Sequence, residues 1–309
     1  MQTEPTRSIL LVTLSNIGDA VMTTPVLEAL HDKYPQAVID IVADPRSSLL
    51  FNHCPWRGAI ILKHKQAGWP GLATLVKQLR ATRYDLIVDL RTDGLTLLLR
   101  ARRYLTRRGC RTAAGHAVER HFCVLKQGET PLAIPPVTVW LSTAEREYAR
   151  EALSGLPGRR WLALGPGARG EAKRWPAAQF NTLALQLQPH FDAVILLGSP
   201  AEASACRQVA AGLTLPCLVL AGKTDLLQAA AVLSETQLYV GNDSGLGHLA
   251  AACSIPTVSV FGPGKPARYH PWHATARWVQ GTTDTIADVA VDEVMEQVLE
   301  LLSECHKSA

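Results

Sequence analysis

The chain has 309 residues, a length that accommodates about two domains of ~150 residues each. Hydrophobic residues make up 47% of it and charged residues 19%. This composition excludes a disordered protein, which would hold fewer apolar residues and a larger net charge than +4. No apolar run approaches the ~20 residues of a transmembrane helix, and the first run, residues 9–14, is too short for a signal-peptide core.

The cysteines and the charge distribution indicate the cellular compartment and the kind of partner. Seven cysteines are scattered along the chain without a Cys-x-x-Cys pair, which argues against a disulfide framework or a zinc site and fits a reducing cytoplasm. Residues 1–155 hold 20 basic and 14 acidic side chains, whereas residues 156–309 hold 11 and 13. The first half therefore favours an anionic partner.

Short apolar runs alternate with amphipathic segments along the chain. The first half predicts strands at 9–14, 38–43, 59–62 and 86–90, with helices at 20–34 and 143–153. A Gly-Leu-Pro-Gly segment at 155–158 predicts a linker. The second half predicts strands at 161–164, 193–197, 217–220, 237–240 and 257–261, and a last helix at 291–302. Apolar strands separated by helices indicate parallel sheets, so we predict an α/β protein with two doubly wound domains, 1–155 and 156–309, facing a cleft.

The first candidate site follows the first predicted strand, where open α/β sheets bind ligands. Residues 15–19 read Ser-Asn-Ile-Gly-Asp, and Asp19 stands at or near a helix N-terminus. Two interpretations stay open: Asp19 caps the helix, or its carboxylate is catalytic. Asp89 and Asp93, at the end of another predicted strand, are the substitute candidates for a catalytic base.

A second candidate is the glycine-rich loop after the strand at 161–164. Residues 165–170 match Gly-x-Gly-x-x-Gly, but the third glycine does not open a helix and no acidic residue ends the next strand. This context does not support a nicotinamide site. We interpret the loop, which contains Arg169, as a phosphate cradle with Lys173 as its charged partner; a flexible inter-domain loop is the alternative.

The segment 241–252 is the most informative part of the second half. Asp243 and Ser244 are suitable N-cap residues, and Gly245 lets a ligand approach the backbone. Free N–H groups at the start of such a helix bind anions. His248 falls one turn into the helix, either as a core residue or as a residue of the site.

Eight arginines lie between residues 91 and 120. They form either a solvated face or a patch for a phosphorylated or membrane-surface substrate, and aromatic residues that would stack nucleic-acid bases hardly interleave with them. Metal-binding patterns such as Asp-x-Asp are absent from the sequence, and His116 and His121 stand apart from other ligand types, so no metal site is predicted. The arginines are Arg91, Arg100, Arg102, Arg103, Arg107, Arg108, Arg111 and Arg120.

Taken together, these motifs resemble glycosyltransferase family 9, the ADP-heptose:lipopolysaccharide heptosyltransferases. The resemblance runs in order from about residue 8 to residue 300. It is carried by the segments 16–19 with 23–27, 173–176 (Lys-Arg-Trp-Pro), 220–224 (Leu-Ala-Gly-Lys-Thr), 243–252, and 261–263 with 270–272.

The resemblance implies a GT-B fold, with an acceptor domain followed by a donor domain. It implies a cytoplasmic enzyme, peripheral at the inner membrane, that adds heptose from ADP-heptose to lipid A–Kdo or a heptosylated core. Neither a metal nor a cofactor is implied, and nucleic acid is not an expected partner. By motif match, Asp19 takes the place of the catalytic base, and Lys173, Asp243, Ser244, Gly245 and His248 take the places of donor-binding residues. Thr224, in the segment 220–224, and Glu202, a looser match, are also expected to bind the donor. Arg169 is counted with them although Ala168-Arg169 departs from the family, in which many relatives carry hydroxyl residues that touch phosphate. From the arginine-rich stretch, Arg91 and Arg120 are expected to bind the acceptor.

The expected reaction inverts the anomeric configuration, because the acceptor hydroxyl attacks from the face opposite the leaving diphosphate. Two alternatives remain at this point. A sugar-nucleotide epimerase of the same fold would act on the donor without an acceptor. A non-catalytic nucleotide-sugar or glycan-binding protein would have no use for a base such as Asp19.

Overall fold

The computed structural model describes residues 5–91, 94–110, 115–126, 133–283 and 285–308. The chain divides into two compact units, Met1–Trp140 and Leu141–Ala309. Each unit is built on a parallel β-sheet with helices in the connections, so the predicted α/β fold class is confirmed. None of the helices described by the structure is both long and apolar enough to cross a bilayer.

The first unit contains a five-stranded sheet in the order β3-β2-β1-β4-β5. Its central strand β1 has four of its five residues buried, because parallel strands covered on both faces face no water. The strands are β1 (Ser8–Val12), β2 (Val38–Ala43), β3 (Arg57–Leu62), β4 (Tyr84–Asp89) and β5 (Ala101–Thr106), and the helices are α1 (Ile17–Val21), α2 (Thr24–Lys33), α3 (Gly68–Arg80) and α4 (Ala117–Phe122).

The second unit contains a six-stranded sheet in the order β11-β10-β9-β6-β7-β8. A buried cluster that includes Trp175 and Phe180 packs at its core. The strands are β6 (Trp161–Gly165), β7 (Ala193–Leu196), β8 (Cys217–Val219), β9 (Leu238–Asn242), β10 (Thr257–Phe261) and β11 (Ala276–Gln280). The helices are α5 (Thr143–Leu153), α6 (Ala177–Gln186), α7 (Ala203–Ala210), α8 (Leu226–Ser234), α9 (Gly245–Ala252), α10 (Pro266–Tyr269) and α11 (Val291–Ser308).

Each sheet reverses its direction of winding once. In the first unit the chain lays down β2 and β3 on one side of β1 and then places β4 and β5 on the other. In the second unit β7 and β8 lie on one side of β6, and β9 to β11 lie on the other. At such a reversal the loops after two neighbouring strands diverge and leave a crevice at the carboxyl edge, where open α/β sheets bind ligands.

The division between the units falls earlier than residue 155. Helix α5 packs against α8 and therefore belongs with the second unit. Its Tyr148 hydroxyl also donates a hydrogen bond to the carbonyl oxygen of Lys223, 3.2 Å away. The Gly-Leu-Pro-Gly segment that predicted a linker is the turn between α5 and β6.

The two strands that the sequence did not predict, β5 and β11, are both edge strands. Strand β5 carries Arg102, Arg103 and Tyr104 exposed to solvent, and β11 has a single buried residue, Val279. Edge strands face water and tolerate charged side chains, so the apolar run that reveals a central strand is missing. The helix predicted at 20–34 is broken into α1 and α2 around Met22 and Thr23.

One cysteine pair departs from the expectation that the cysteines are unpaired. Cys110 and Cys123 form a disulfide, with 6.0 Å between their Cα atoms. Cys110 follows β5, and Cys123 directly follows α4. The fold brings the two cysteines together. The sequence alone did not predict this pair, because its members are 13 residues apart and do not form a Cys-x-x-Cys pattern.

The buried His121 generates a testable pH dependence of stability. Burial, with the nearby charges of Arg107 and His116, lowers the pKa of His121 to about 4 from an ordinary value of 6.5. The unfolded chain therefore takes up a proton first, so this stabilisation is complete above about pH 6.5 and is lost as the pH falls toward 4. We expect the first unit to lose about 2 kcal/mol between pH 7 and pH 5 in urea unfolding.

The variant His121→Leu should flatten that pH dependence, whereas His64→Leu, which changes an exposed histidine of the same unit, should leave it unchanged. An equal slope in the wild type and in His121→Leu would show that His121 does not titrate on unfolding.

Candidate functional site

Asp19 lies at the carboxyl edge of the first sheet, where the winding reverses. The loop after β1 enters α1, and Asn16 rather than Asp19 occupies the N-cap position. Asp19 is the third residue of the helix, partly exposed, and its Oδ2 accepts a hydrogen bond of 2.9 Å from Asn16 Nδ2. The observed geometry therefore does not give Asp19 the role of the N-cap, and its carboxylate keeps access to solvent.

A polar network joins the loops after β1, β2 and β4. Asp44, only 5% exposed, accepts hydrogen bonds from Arg46 at 2.9 and 3.2 Å. These bonds, with help from the Ser15 hydroxyl, lower the pKa of Asp44 to about 2. Ser15 in turn accepts a hydrogen bond from the guanidinium of Arg91. The predicted acceptor residue Arg91 is thereby anchored beside the loop that carries Asp19.

Asp44 and Arg46 were not predicted as site residues. The available signal was their position, since Asp44-Pro45-Arg46 directly follows the apolar strand 38–43. Of the substitute bases, Asp89 is fully buried and accepts a hydrogen bond of 2.8 Å from the backbone N–H of Arg91. It therefore shapes the turn after β4. Asp93 lies outside the described residues.

The remaining arginines are spread over two elements. Several of them lie on or beside the edge strand β5, where Arg102 forms an ion pair of 3.3 Å with Asp85. Arg120, the second predicted acceptor residue, lies in α4 and is partly exposed. Arg111 falls outside the described residues. The arginine-rich stretch is thus part solvated sheet edge and part helix.

In the second unit an ion pair joins side chains of the loops after β6 and β9, at the crevice where the winding reverses. Lys173 Nζ forms an ion pair with Asp243 Oδ2, and the two side chains are 37% and 18% exposed. Seventy positions separate these residues in the chain. The structure therefore brings together two predicted donor-binding residues, with the ammonium group partly open to solvent.

Glu202 reaches the same edge from the loop after β7. Its Oε2 accepts hydrogen bonds of 2.7 Å from both the backbone N–H and the hydroxyl of Ser199. The carboxyl group lies against Gly167, where an added Cβ would come within 2.5 Å of the Glu202 Cδ atom. Because such a contact is closer than real Cβ atoms allow, Gly167 is required for the loops after β6 and β7 to approach.

The start of α9 is the segment for which free N–H groups predict anion binding. Ser244 is the N-cap in extended backbone conformation and makes no side-chain hydrogen bond to the first turn. The leading N–H groups of the helix are therefore not capped by this hydroxyl and suit a phosphate oxygen. His248 lies in the first turns of α9 and is 5% exposed, so most of its ring is packed.

The last two predicted donor residues lie in the loops after β8 and β6. Thr224 follows β8 directly before Asp225, which caps α8, and it is partly exposed. Arg169 is exposed in the loop after β6.

Among the described residues, no group of three or more His, Cys, Asp or Glu side chains is arranged to hold a metal ion. His116 instead caps α4 by accepting a hydrogen bond of 3.2 Å from Val118 N–H.

Comparison with known proteins gives consistent matches. The model of glycosyltransferase family 9 (heptosyltransferase) matches residues 97–299. Lipopolysaccharide heptosyltransferase 3 of Escherichia coli is 29% identical over 290 positions, which cover 82% of this chain and 83% of that protein. Lipopolysaccharide heptosyltransferase 2 of Escherichia coli K12 is 27% identical over 341 positions, covering 95% and 98%.

One solved structure extends the match to the architecture. The structure of Escherichia coli ADP-heptose lipopolysaccharide heptosyltransferase II superposes on this chain with a TM-score of 0.82 and 26% identity. The superposition covers 97% of this chain and 99% of the other. The similarity therefore includes both units and not one sheet alone.

The role of the buried carboxylate of Asp44 can be tested directly. Asp44→Asn keeps the size of the side chain and removes the charge that holds Arg46, so we expect a loss of about 1–3 kcal/mol in unfolding free energy at pH 7. Because the pKa of Asp44 is lowered, its contribution is complete above about pH 3.8 and is lost as the pH falls toward 2. The wild type and the variant should therefore converge in urea unfolding below pH 4.

Asp32→Asn, at an exposed carboxylate of α2, is the matched control and should change stability by less than about 0.5 kcal/mol. A stability loss for Asp44→Asn that persists unchanged at pH 3 would contradict a charge-based role.

Proposed function

Because this chain belongs to glycosyltransferase family 9, the heptosyltransferases, we propose that it transfers a heptose from ADP-heptose to the inner core of lipopolysaccharide. The observation that carries the proposal is the meeting of Lys173, Asp243 and the start of α9 at one edge of the second sheet. A cation beside free helix N–H groups is the chemistry that a diphosphate requires. The relatives at 27–29% identity are named as lipopolysaccharide heptosyltransferases.

In this proposal the second unit binds the donor. Lys173 and the N–H groups of α9 bind the diphosphate and stabilise the charge that builds on it as it leaves. Glu202, held by Ser199, takes the nucleotide ribose, and Thr224, Arg169, Ser244, Gly245 and His248 complete the donor-binding set. The identity of the donor rests on the solved relative, whose name includes ADP-heptose.

The first unit is assigned the acceptor and the base. The acceptor hydroxyl attacks the anomeric carbon, its proton passes to Asp19, and the bond from that carbon to the diphosphate oxygen breaks on the opposite face. The configuration at the anomeric carbon inverts, and ADP carries away the electron pair. Arg91, anchored through Ser15, and Arg120 bind anionic groups of the acceptor.

The acceptor is lipid A–Kdo or a heptosylated core, and we place the enzyme in the cytoplasm, peripheral at the inner-membrane surface. The basic first half supports this placement, because phosphate and carboxylate groups of the acceptor and anionic lipids attract arginine. The epimerase and the non-catalytic binding protein are not favoured, since the family and the full-length relatives are heptosyltransferases.

Donor recognition is measurable without an acceptor. We expect ADP-heptose to raise the melting temperature and ADP to raise it less, because a ligand at 100 times its Kd adds about 2.7 kcal/mol to the unfolding free energy. UDP-sugars and GDP-sugars at the same concentration are the controls. A shift with those sugars and none with ADP-sugars would refute the donor assignment.

The diphosphate charge should be met without a metal, because the sequence has no Asp-x-Asp pair and Lys173 stands at the α9 N-terminus. Transfer activity is therefore expected to survive EDTA, while Lys173→Ala should lower kcat/KM by about 10²-fold or more. Arg159→Ala, at an exposed cation of the same unit, should leave activity unchanged. Loss of activity in EDTA with recovery on adding Mg²⁺ or Mn²⁺ would contradict the proposal.

Asp19→Asn tests the catalytic base. Asparagine keeps the size of the side chain, and position 19 is not the helix cap, so the variant should unfold at the wild-type temperature and bind ADP normally. Without a carboxylate to accept the proton, turnover should fall by about 10²–10⁴-fold. Glu28→Gln, on the neighbouring helix α2, is the matched control with expected wild-type turnover. Near-normal turnover of Asp19→Asn would remove Asp19 from the mechanism.

A further inference from the structure

Asn242, the last residue of β9, is fully buried and holds one loop at both of its ends. Its Nδ2 donates a hydrogen bond of 2.7 Å to the carbonyl oxygen of Pro166, where the loop after β6 begins. Its Oδ1 accepts a hydrogen bond of 3.0 Å from the backbone N–H of Trp175, where that loop ends. A single amide side chain thereby fastens residues 166–175 to the neighbouring strand.

The loop is further fixed within itself and at its far end. Arg174 Nε donates to the carbonyl oxygen of Ala168 at 3.1 Å, and the buried indole of Trp175 donates to the carbonyl oxygen of Val289 at 3.0 Å. Lys173 lies two positions before Trp175, and its ammonium group pairs with Asp243, the residue that follows Asn242. Two consecutive residues at the end of β9 therefore hold this loop: Asn242 binds its backbone, and Asp243 binds the ammonium group of Lys173.

We propose that Asn242 is a positioning residue that places Lys173 for the donor diphosphate. The inference deepens the proposed function and rests on it. Lysine has a long side chain with several rotatable bonds, so a diphosphate that binds a mobile Lys173 must also order it. A loop fastened by Asn242 is ordered before the ligand arrives, and the ordering cost is removed from binding. The side chain of Asn242 acts through Lys173 and does not itself bind the donor.

A double-mutant cycle measured by ADP binding separates positioning from general structural support. Asn242→Ala should weaken ADP binding about tenfold in the wild-type background, because Lys173 is no longer held in place. In the Lys173→Ala background the same change should weaken binding by about twofold or less, since nothing remains to be positioned. A structural role alone predicts the same factor in both backgrounds, and that result would overturn the proposal.

Thr236→Ala is the matched control. Thr236 is a buried polar residue just before the opposite end of β9, and its hydroxyl donates to the carbonyl oxygen of Leu233 at 2.8 Å. This variant should lower the melting temperature and leave ADP affinity within about twofold in both backgrounds. ADP binding that depends on Thr236 as strongly as on Asn242 would show that affinity reports stability alone, and would also overturn the proposal.

Hydrogen exchange on the unaltered protein keeps the idea testable if Asn242→Ala does not fold. The Trp175 amide should be strongly protected before ADP is added, and an unprotected amide in the free protein would refute pre-ordering. The two failures are distinguishable. A wild type that does not bind ADP would refute the proposed function, whereas ADP binding without coupling between positions 242 and 173 would refute only this inference.

Discussion

The reversal of winding in each sheet is the constraint on which the candidate sites depend. Strands β1 and β4 are neighbours in the first sheet, and β6 and β9 are neighbours in the second. After the first strand of each pair the chain continues to one side of the sheet, and after the second strand it continues to the other side. In the part of the chain that the structure describes, these are the two places where adjacent loops part at the carboxyl edge of a sheet. Asp19 and Arg91 follow one pair of strands, and Lys173 and Asp243 follow the other. The positions of the polar groups are thus consequences of strand order.

The sequence predicted the strands that are buried, because burial requires apolar residues. It did not predict the side-chain partners that lie far apart in the chain. Central strands are apolar throughout, so β1, β6 and β10 were recognisable. Strand β5 was not, because an edge strand rich in arginine resembles a solvated face. The loops that bear Asp19 and Lys173 were predicted from their place after strands. The partners of these residues were not, since the pairing of Lys173 with Asp243 and the contact between Ser15 and Arg91 join positions far apart in the chain.

Each unit places an ion pair beside the point where the winding of its sheet reverses. In the first, the carboxylate of Asp44 is nearly buried and accepts two hydrogen bonds from Arg46, whose side chain is 46% exposed. In the second, the pair of Lys173 and Asp243 is partly exposed, and water screens it.

The contact between Gly167 and Glu202 limits how this enzyme can diverge. A side chain at position 167 would displace the Glu202 carboxyl group, and an added Cβ at Gly165 or Gly241 would clash with the Tyr239 hydroxyl group. These three glycines, at the carboxyl edge of the second sheet, therefore cannot be replaced by a larger residue unless the neighbouring side chains shift. Arg169, two positions from Gly167 in the same loop, is exposed to solvent and is not under this constraint.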